Sequence, residues 1–126
     1  MAAELLSFKE MCARFEVTPR TLRYYEYIEL LNPQKQGRAR FYGPREVARM
    51  TLILRGRRFG FSLEEIRQWL DLRDRKGSRE QYEVWVAMAD RQLAELARQR
   101  DEIDAAIDDL RRLRDETRQH LADMPP

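Results

Sequence analysis

A chain of 126 residues with 37% charged and 43% hydrophobic residues can bury the core of one small domain, but not that of a thick globule. The formal net charge is only +2, yet residues 1–60 hold 12 Lys and Arg against 6 Asp and Glu, whereas residues 61–126 hold 12 against 16. This asymmetry predicts a basic module that binds a nucleic acid, joined to an acidic segment with another role. No apolar run reaches the roughly 20 residues needed to cross a membrane.

The first two predicted elements are short helices. Ser7 and Glu10 have the spacing of a capping box, so a first helix should begin near Phe8 and end near Phe15. Thr18 and Pro19 are start signals for a second helix that should run to about Ile28. Two short helices joined by about three residues predict a helix-turn-helix, whose second helix would enter the major groove. A purely structural helix pair is the alternative.

The second helix lies within TPRTLRYYEYIELLNP, residues 18–33. Arg20, Arg23, Tyr24 and Tyr25 are expected to form an exposed, cationic, hydrogen-bonding face that suits a polyanion. The apolar residues of the same stretch would anchor it to the domain: Leu22, Ile28 and Leu31.

A small hairpin is expected next, because Gly37 interrupts the polar and aromatic stretch QKQGRARFY. Lys35, Arg38 and Arg40 would make this hairpin a basic wing beside the recognition helix. A solvated surface turn is the alternative.

Two further helices are predicted, the third from Gly43-Pro44 to about Phe59 and the fourth from Leu63 to about Arg73, after a second capping box at Ser62 and Glu65. Three arginines precede the turn between them, namely Arg55, Arg57 and Arg58. They would form a second phosphate-binding wing, although they could also simply complement the helix dipole.

The tail from about Arg79 to Ala122 lacks Gly and Pro and repeats its apolar residues every seven positions. One chain cannot bury this seam, so we expect a homodimer through a coiled coil, with a helix packed back on its own domain as the alternative. The seam comprises Val86, Leu93, Ile107 and Leu121 at a positions, and Tyr82, Ala89, Leu96, Ile103 and Leu110 at d positions. The predicted boundary separates a DNA-binding domain, 1–75, from a dimerisation helix and short tail, 76–126.

Few residues suggest any other chemistry. Cys12 is the only cysteine and lies on the apolar face of the first helix, so we expect a buried structural thiol and no thiolate metal site. No catalytic constellation or Gly-rich phosphate loop is present, so neither an enzyme nor a cofactor is expected. The N-terminus lacks a signal-peptide layout, and we expect a cytoplasmic protein.

Two stretches, LRYYEYIELL and GRARFYGPREVARMTLILRGRRFGFSLEEIRQWLDL, occur in this order before the heptad tail. Together they resemble the mercury-resistance regulator (MerR) family of bacterial transcription factors, with TPRTLRYYE and RFGFSLEEI as the most specific parts. The resemblance implies a mainly α fold: a winged helix-turn-helix domain with a small β-hairpin wing, then a long helix that forms an antiparallel coiled coil. It also implies a homodimer on double-stranded DNA, at a pseudo-palindromic operator between the −35 and −10 promoter elements. Transcription would change by bending and untwisting of that DNA, so RNA polymerase would be affected indirectly.

Carried over residue by residue, the resemblance assigns DNA contacts to three groups. The recognition helix would contribute Arg20, Thr21, Arg23, Tyr24 and, at its edge, Tyr25. The first wing would contribute Arg38, Arg40 and Tyr42, and the second wing Arg55 and Arg58.

Departures from the family narrow the resemblance to a subgroup without an effector domain. Metal-sensing members carry cysteines at the start of the dimerisation helix, where this chain has Ser78 and Tyr82, and drug-sensing members carry a large C-terminal domain. The stretch ARMTLILRGRRFGFSLEEIRQWLDLRD is most similar to regulators of branched-chain amino acid and fatty-acid breakdown. A small-molecule effector, if there is one, would then be an acyl-coenzyme A or a related metabolite. An architectural or excisionase-like DNA-binding protein without effector is the main alternative, and an adaptor for acidic protein surfaces is another.

Overall fold

The computed structural model describes residues 4–126, which form five helices and three short strands. The elements in chain order are β1 (Leu6–Ser7), α1 (Phe8–Phe15), α2 (Pro19–Tyr27), β2 (Gln34–Gln36), β3 (Ala39–Tyr42), α3 (Pro44–Phe59), α4 (Leu63–Asp74) and α5 (Arg79–Asp123). The prediction of a mainly α fold with a small β wing and a long C-terminal helix is confirmed.

The predicted helix boundaries are confirmed to within a residue or two because their caps form. Ser7 and Ser62 each accept a hydrogen bond from the third residue of their helix, and the Glu side chain there accepts one back from the cap N–H. Thr18 caps α2, with Pro19 in its first turn. These caps satisfy amides that the first turn of a helix leaves free.

The sheet has the order β1-β3-β2, and both pairings are antiparallel. Lys35 pairs with Arg40 in the predicted hairpin, and Gly37 has the left-handed φ of 61° in its turn. The sequence did not predict β1, in which Ser7 pairs with Phe41. This strand joins the wing to the start of α1.

The core lies between α1, α2, α3, α4 and β3. Its fully buried side chains are Met11, Leu22, Leu30, Leu31, Tyr42, Met50, Ile53, Ile66 and Leu70. Most of these residues lie on the apolar helix faces that the sequence pattern indicates. Helix α2 is held by Leu22 and Tyr25, while Arg20, Arg23 and Tyr24 stay exposed.

The chain divides into two compact units, of which the first ends at Tyr82 and the second comprises Glu83–Pro126. The second unit is the larger part of α5, a helix of 45 residues. No helix within residues 4–126 is long and apolar enough to cross a membrane.

Candidate nucleic-acid interface

Helix α2 presents basic and aromatic side chains to solvent. Arg20 and Arg23 are exposed, and Tyr24 is 50% exposed. Thr21 is half-buried, and its backbone N–H donates to the Thr18 hydroxyl oxygen at 3.1 Å, so it belongs partly to the helix cap. A helix whose exposed side carries guanidinium and phenol groups is suited to phosphates and base edges.

Two tyrosines that we expected at this surface are in the core instead. Tyr25 is only 6% exposed, and Tyr42 is fully buried. Tyr25 lies next to Tyr24 in sequence but about 100° further around the helix, which turns it inward. Tyr42 ends β3, where the strand alternation directs it to the core. The expectation that Tyr42 serves the wing surface is therefore corrected, and so is the expected exposure of Tyr25.

Tyr42 instead belongs to a polar group that joins the wing to the recognition helix. Its hydroxyl donates a hydrogen bond to Oε1 of Glu26. Oε2 of the same carboxylate lies 3.0 Å from Nε of Arg40. Burial raises the pKa of Tyr42, and the bond to Glu26 raises it further. The proton stays on the phenol, so the bond is kept at physiological pH.

The first wing has two kinds of basic residue. Lys35 and Arg38 are exposed near the hairpin turn. Arg40 is different, because it is bound by Glu26 and its side chain is 36% exposed. Cζ of Arg40 also lies 6.0 Å from the ring centroid of Phe8, and Cζ of Arg23 lies 5.3 Å from the same centroid.

An open cleft of about 620 Å³ lies between α2 and the turn that joins α3 to α4. It is lined by Arg20, Thr21, Arg23, Tyr24, Tyr25, Tyr27, Arg57 and Leu63. Five predicted contact residues of α2, of which Arg20, Arg23 and Tyr24 are exposed, thus line a cleft that also contains Arg57 of the α3–α4 corner. This cleft can accept a phosphate group among three arginines.

Arg57 lines this cleft and is one of the three arginines that the sequence predicts for a second phosphate-binding wing, although the family resemblance assigned DNA contacts there only to Arg55 and Arg58. All three arginines are exposed, and Cζ of Arg55 lies 6.0 Å from the ring of Phe59. Tyr27, which also lines the cleft and is 83% exposed, was not among the predicted contact residues. The run RGRRFG predicted a basic corner, but which of its arginines lies beside α2 depends on the tertiary fold.

The apolar seam of α5 is largely open to solvent. Seven of its predicted members are more than two-fifths exposed, namely Tyr82, Val86, Leu93, Ile103, Ile107, Leu110 and Leu121, while Ala89 and Leu96 are half-buried. The exposed large apolar residues of α5 also include Val84 and Leu113, which lie outside the predicted seam. Monomeric soluble proteins rarely leave so many large apolar side chains of one helix exposed to solvent.

Cys12 and metal-ligating residues give no sign of a further site. Cys12 is half-buried, not fully buried as expected, and burial raises the pKa of its thiol, which favours the protonated form. In the described part of the chain, no group of three or more His, Cys, Asp and Glu residues could hold a metal ion.

Two family models match the chain: "MerR HTH family regulatory protein" over residues 6–72, and "MerR, DNA binding" over residues 47–122. Each match covers more than half of the chain. The chain therefore belongs to the MerR family of DNA-binding helix-turn-helix transcriptional regulators, a family without enzymatic activity. The fold and the basic surface on α2 agree with this membership.

Several known proteins and solved structures are similar to this chain, over different shares of its length. The HTH-type transcriptional regulator ZntR of Escherichia coli K12 is 38% identical over 66 residues, which are 51% of this chain and 47% of that protein. The chain spans about half the length of the first curated relatives it matches. A MerR-family regulator from Bacillus cereus has a similar fold, with a TM-score of 0.68 at 22% identity over 98% of this chain and 87% of that one. HiNmlR, described as a MerR family regulator lacking the sensor domain and bound to promoter DNA, gives a TM-score of 0.66 at 17% identity, covering 83% of this chain and 80% of that one.

Proposed function

We propose that the chain acts as a homodimer on a pseudo-palindromic operator inside a promoter spacer, and that it regulates transcription by bending and untwisting that DNA. RNA polymerase would then respond to the altered promoter. The observation that carries the proposal is the cleft in which Arg20 and Arg23 of the recognition helix lie beside Arg57 of the second wing. We further propose that residues 1–75 bind DNA and that residues 76–126 dimerise.

The distribution of charge supports duplex DNA as the partner. The exposed basic residues of α2, of the hairpin and of the α3–α4 corner come from three separate elements of one unit. Phosphate contacts from several elements fix the register of a protein on a duplex, and one helix in the major groove then reads the bases. Such binding should weaken as salt is added.

The exposed seam of α5 supports a second copy of the chain as its occupant. Leu93, Ile103 and Leu110 are each at least 60% exposed and recur at heptad positions. A matching seam on a second copy would bury them without exposing new apolar surface. Two copies would also supply the two recognition helices that a pseudo-palindrome requires.

The subgroup without a sensor domain is the third part of the proposal. HiNmlR, described as lacking that domain, is similar in fold over most of both chains. An acyl-coenzyme A effector and target genes of branched-chain amino acid or fatty-acid breakdown rest on the sequence resemblance alone.

The first test is selection of duplex fragments from sheared genomic DNA by the purified protein at near-physiological salt, followed by sequencing. Enrichment of an inverted repeat within promoter spacers is the expected result. Recovery of recombination sites or of scattered sequence would instead favour an architectural or excisionase-like protein.

Variants of the recognition helix test the site on the selected operator. Arg23→Ala and Tyr24→Ala should each weaken binding by about tenfold, which corresponds to one good contact. The control is Arg45→Ala, since the Arg45 side chain is 78% exposed and does not line the cleft. Thermal unfolding should be nearly unchanged in all three variants. Equal operator affinity of Arg23→Ala, Tyr24→Ala and Arg45→Ala would refute the assignment of DNA contacts to α2.

The variant Leu110→Glu tests dimerisation through α5. It should shift the mass of the protein in sedimentation toward that of the monomer.

A further inference from the structure

The ring of Phe8 carries two arginines that come from different elements of the candidate interface. Cζ of Arg23, in α2, lies 5.3 Å from the ring centroid, and Cζ of Arg40, in β3, lies 6.0 Å from it. We propose that Phe8 is a positioning residue, which holds these two guanidinium groups as one cationic pair for the DNA backbone. The inference rests on the proposed function, because it concerns the same DNA contact.

Phe8 is well placed to act as a fixed support. It is the first residue of α1, directly after the capping residue Ser7. Ser7 also pairs with Phe41 in the sheet. The position of the Phe8 backbone is therefore fixed by both the cap of α1 and the ladder of β3. The face of an aromatic ring attracts cations within about 6 Å, and Arg makes such contacts more often than Lys.

The two arginines depend on this ring to different extents. Arg40 has a second anchor, since its Nε lies 3.0 Å from Oε2 of Glu26, whose side chain is only 10% exposed. Within residues 4–126, no carboxylate lies at ion-pair distance from Arg23. Removal of the ring should therefore release Arg23 more than Arg40.

Order in these side chains affects DNA binding through entropy. A free arginine loses much rotamer freedom when it clamps a phosphate, and that loss weakens the complex. A guanidinium group already held over a ring has lost part of this freedom before DNA arrives. It keeps its N–H edges for the phosphate, because the ring contacts only the flat face of the group.

The chain offers matched variants for the test. Phe8→Leu removes the ring but keeps an apolar side chain, whereas Phe8→Tyr keeps the ring. Phe15→Leu removes a half-buried ring from the other end of α1, and within residues 4–126 no arginine stacks on that ring. Thermal unfolding of each variant reports any general loss of stability.

Two measurements are needed, and the first requires no DNA. In the free protein, NMR of the arginine Nε–H groups should show ring-shifted signals of Arg23 and Arg40 that Phe8→Leu abolishes and Phe15→Leu leaves in place. The second is binding to a fluorescent duplex that the wild-type protein selects from genomic DNA. Phe8→Leu should bind about fivefold more weakly, the size expected for an exposed cation–π contact, while Phe8→Tyr and Phe15→Leu should stay within about twofold of the wild type.

A double-mutant cycle tests positioning as opposed to packing. In an Arg23→Ala background, Phe8→Leu should lose most of its effect, because the arginine that it releases is already absent. The inference would be overturned if the Nε–H chemical shifts of Arg23 and Arg40 were the same in Phe8→Leu as in the wild type. Equal DNA affinity of Phe8→Leu and Phe15→Leu would overturn it as well. If the wild-type protein binds no duplex at all, the proposed function fails. The NMR measurement needs no DNA, so it still shows whether Phe8 holds the two arginines.

Discussion

Gly56 of α3 lies directly against Ile66 of α4: a Cβ atom at position 56 would come 2.8 Å from Cγ1 and 3.1 Å from Cδ1 of Ile66. Ile66 is fully buried, so its side chain has little room to move away. The absence of a side chain at Gly56 therefore sets how closely the two helices approach on either side of the basic corner.

Gly56→Ala should destabilise the protein even though alanine is the better helix former. The propensity gain is about 1 kcal/mol, whereas overpacking of a filled core costs about 1–3 kcal/mol, so we expect a net loss of about 1 kcal/mol. Urea unfolding measures it. Gly43→Ala is a control for an added Cβ without crowding, because that Cβ would meet only Leu5 Cδ2, at the ordinary distance of 3.7 Å. Gly43 is the N-cap of α3, so no gain in helix propensity is expected there. A more stable Gly56→Ala variant would contradict the close-contact argument.

Arg49 should be worth far more to stability than Arg45, although both pair with Asp74. Nε of Arg49 donates to the carbonyl oxygen of Leu30 at 2.5 Å, and Nη1 lies 2.8 Å from Oδ2 of Asp74. Its side chain is 14% exposed, so Arg49→Met leaves a partly buried carbonyl without its donor and should cost about 2 kcal/mol.

Arg45→Met provides the comparison in the same unfolding experiment. The Arg45 side chain is 78% exposed, and its Nη2 lies 3.6 Å from Asp74. Exposed ion pairs contribute about 0–1 kcal/mol, so this variant should be close to the wild type. Equal losses for Arg45→Met and Arg49→Met would mean that the bond to Leu30 contributes little.

The sequence was sufficient for those features that depend on neighbouring residues. Ser7, Thr18 and Ser62 predicted three helix starts, because a cap and its partners lie within three positions of each other. Gly37 predicted the hairpin turn for the same reason. The exposed seam of α5 followed from periodicity alone.

Features that depend on distant residues were missed. The strand β1 exists because Leu6–Ser7 pairs with β3, more than 30 residues later in the chain. Tyr42 was assigned to the wing surface, because no local sequence pattern shows that its hydroxyl donates a hydrogen bond to Glu26. The place of Arg57 in the cleft depends on how the α3–α4 corner is brought beside α2. Tertiary contacts decided each of these points.

Arg98 should control the titration of Glu95 on α5. Nη2 of Arg98 lies 2.5 Å from Oε1 of Glu95, and this hydrogen bond, aided by Gln99, lowers the pKa of Glu95 to about 2. Arg98→Gln should return that pKa toward its ordinary value near 4.5. Because the pKa of Glu95 is lower in the folded state than in the unfolded chain, the pair stabilises the folded state at pH values above the ordinary pKa. This stabilisation is lost as the pH falls from the ordinary pKa toward about 2.

Carboxylate NMR of Glu95 over an acid titration measures this effect. Arg112→Gln is the control, since Arg112 pairs with Asp109 at 2.6 Å on the same helix. It should leave the titration of Glu95 unchanged. A Glu95 pKa that stays low in Arg98→Gln would assign the shift to Gln99 instead.

Tyr42→Phe should lower stability at neutral pH and also change how stability depends on alkaline pH. The variant removes the donor to Glu26 within a buried site, which should cost about 1–2 kcal/mol. Burial and Glu26 raise the pKa of Tyr42 above that of the unfolded chain, so the unfolded chain releases the phenol proton first. Stability from this group is therefore complete below about pH 10 and falls as pH rises beyond it.

Urea midpoints between neutral pH and about pH 11.5 separate the two effects, because a tyrosine of ordinary pKa titrates near pH 10. The wild-type midpoint should fall more steeply above pH 10 than that of Tyr42→Phe, so the two curves should converge. Tyr27→Phe is the control, since Tyr27 is 83% exposed and its removal should displace neither the neutral midpoint nor the alkaline slope. Parallel curves for the wild type and Tyr42→Phe would show that Tyr42 ionises alike in the folded and unfolded states, against the buried bond to Glu26.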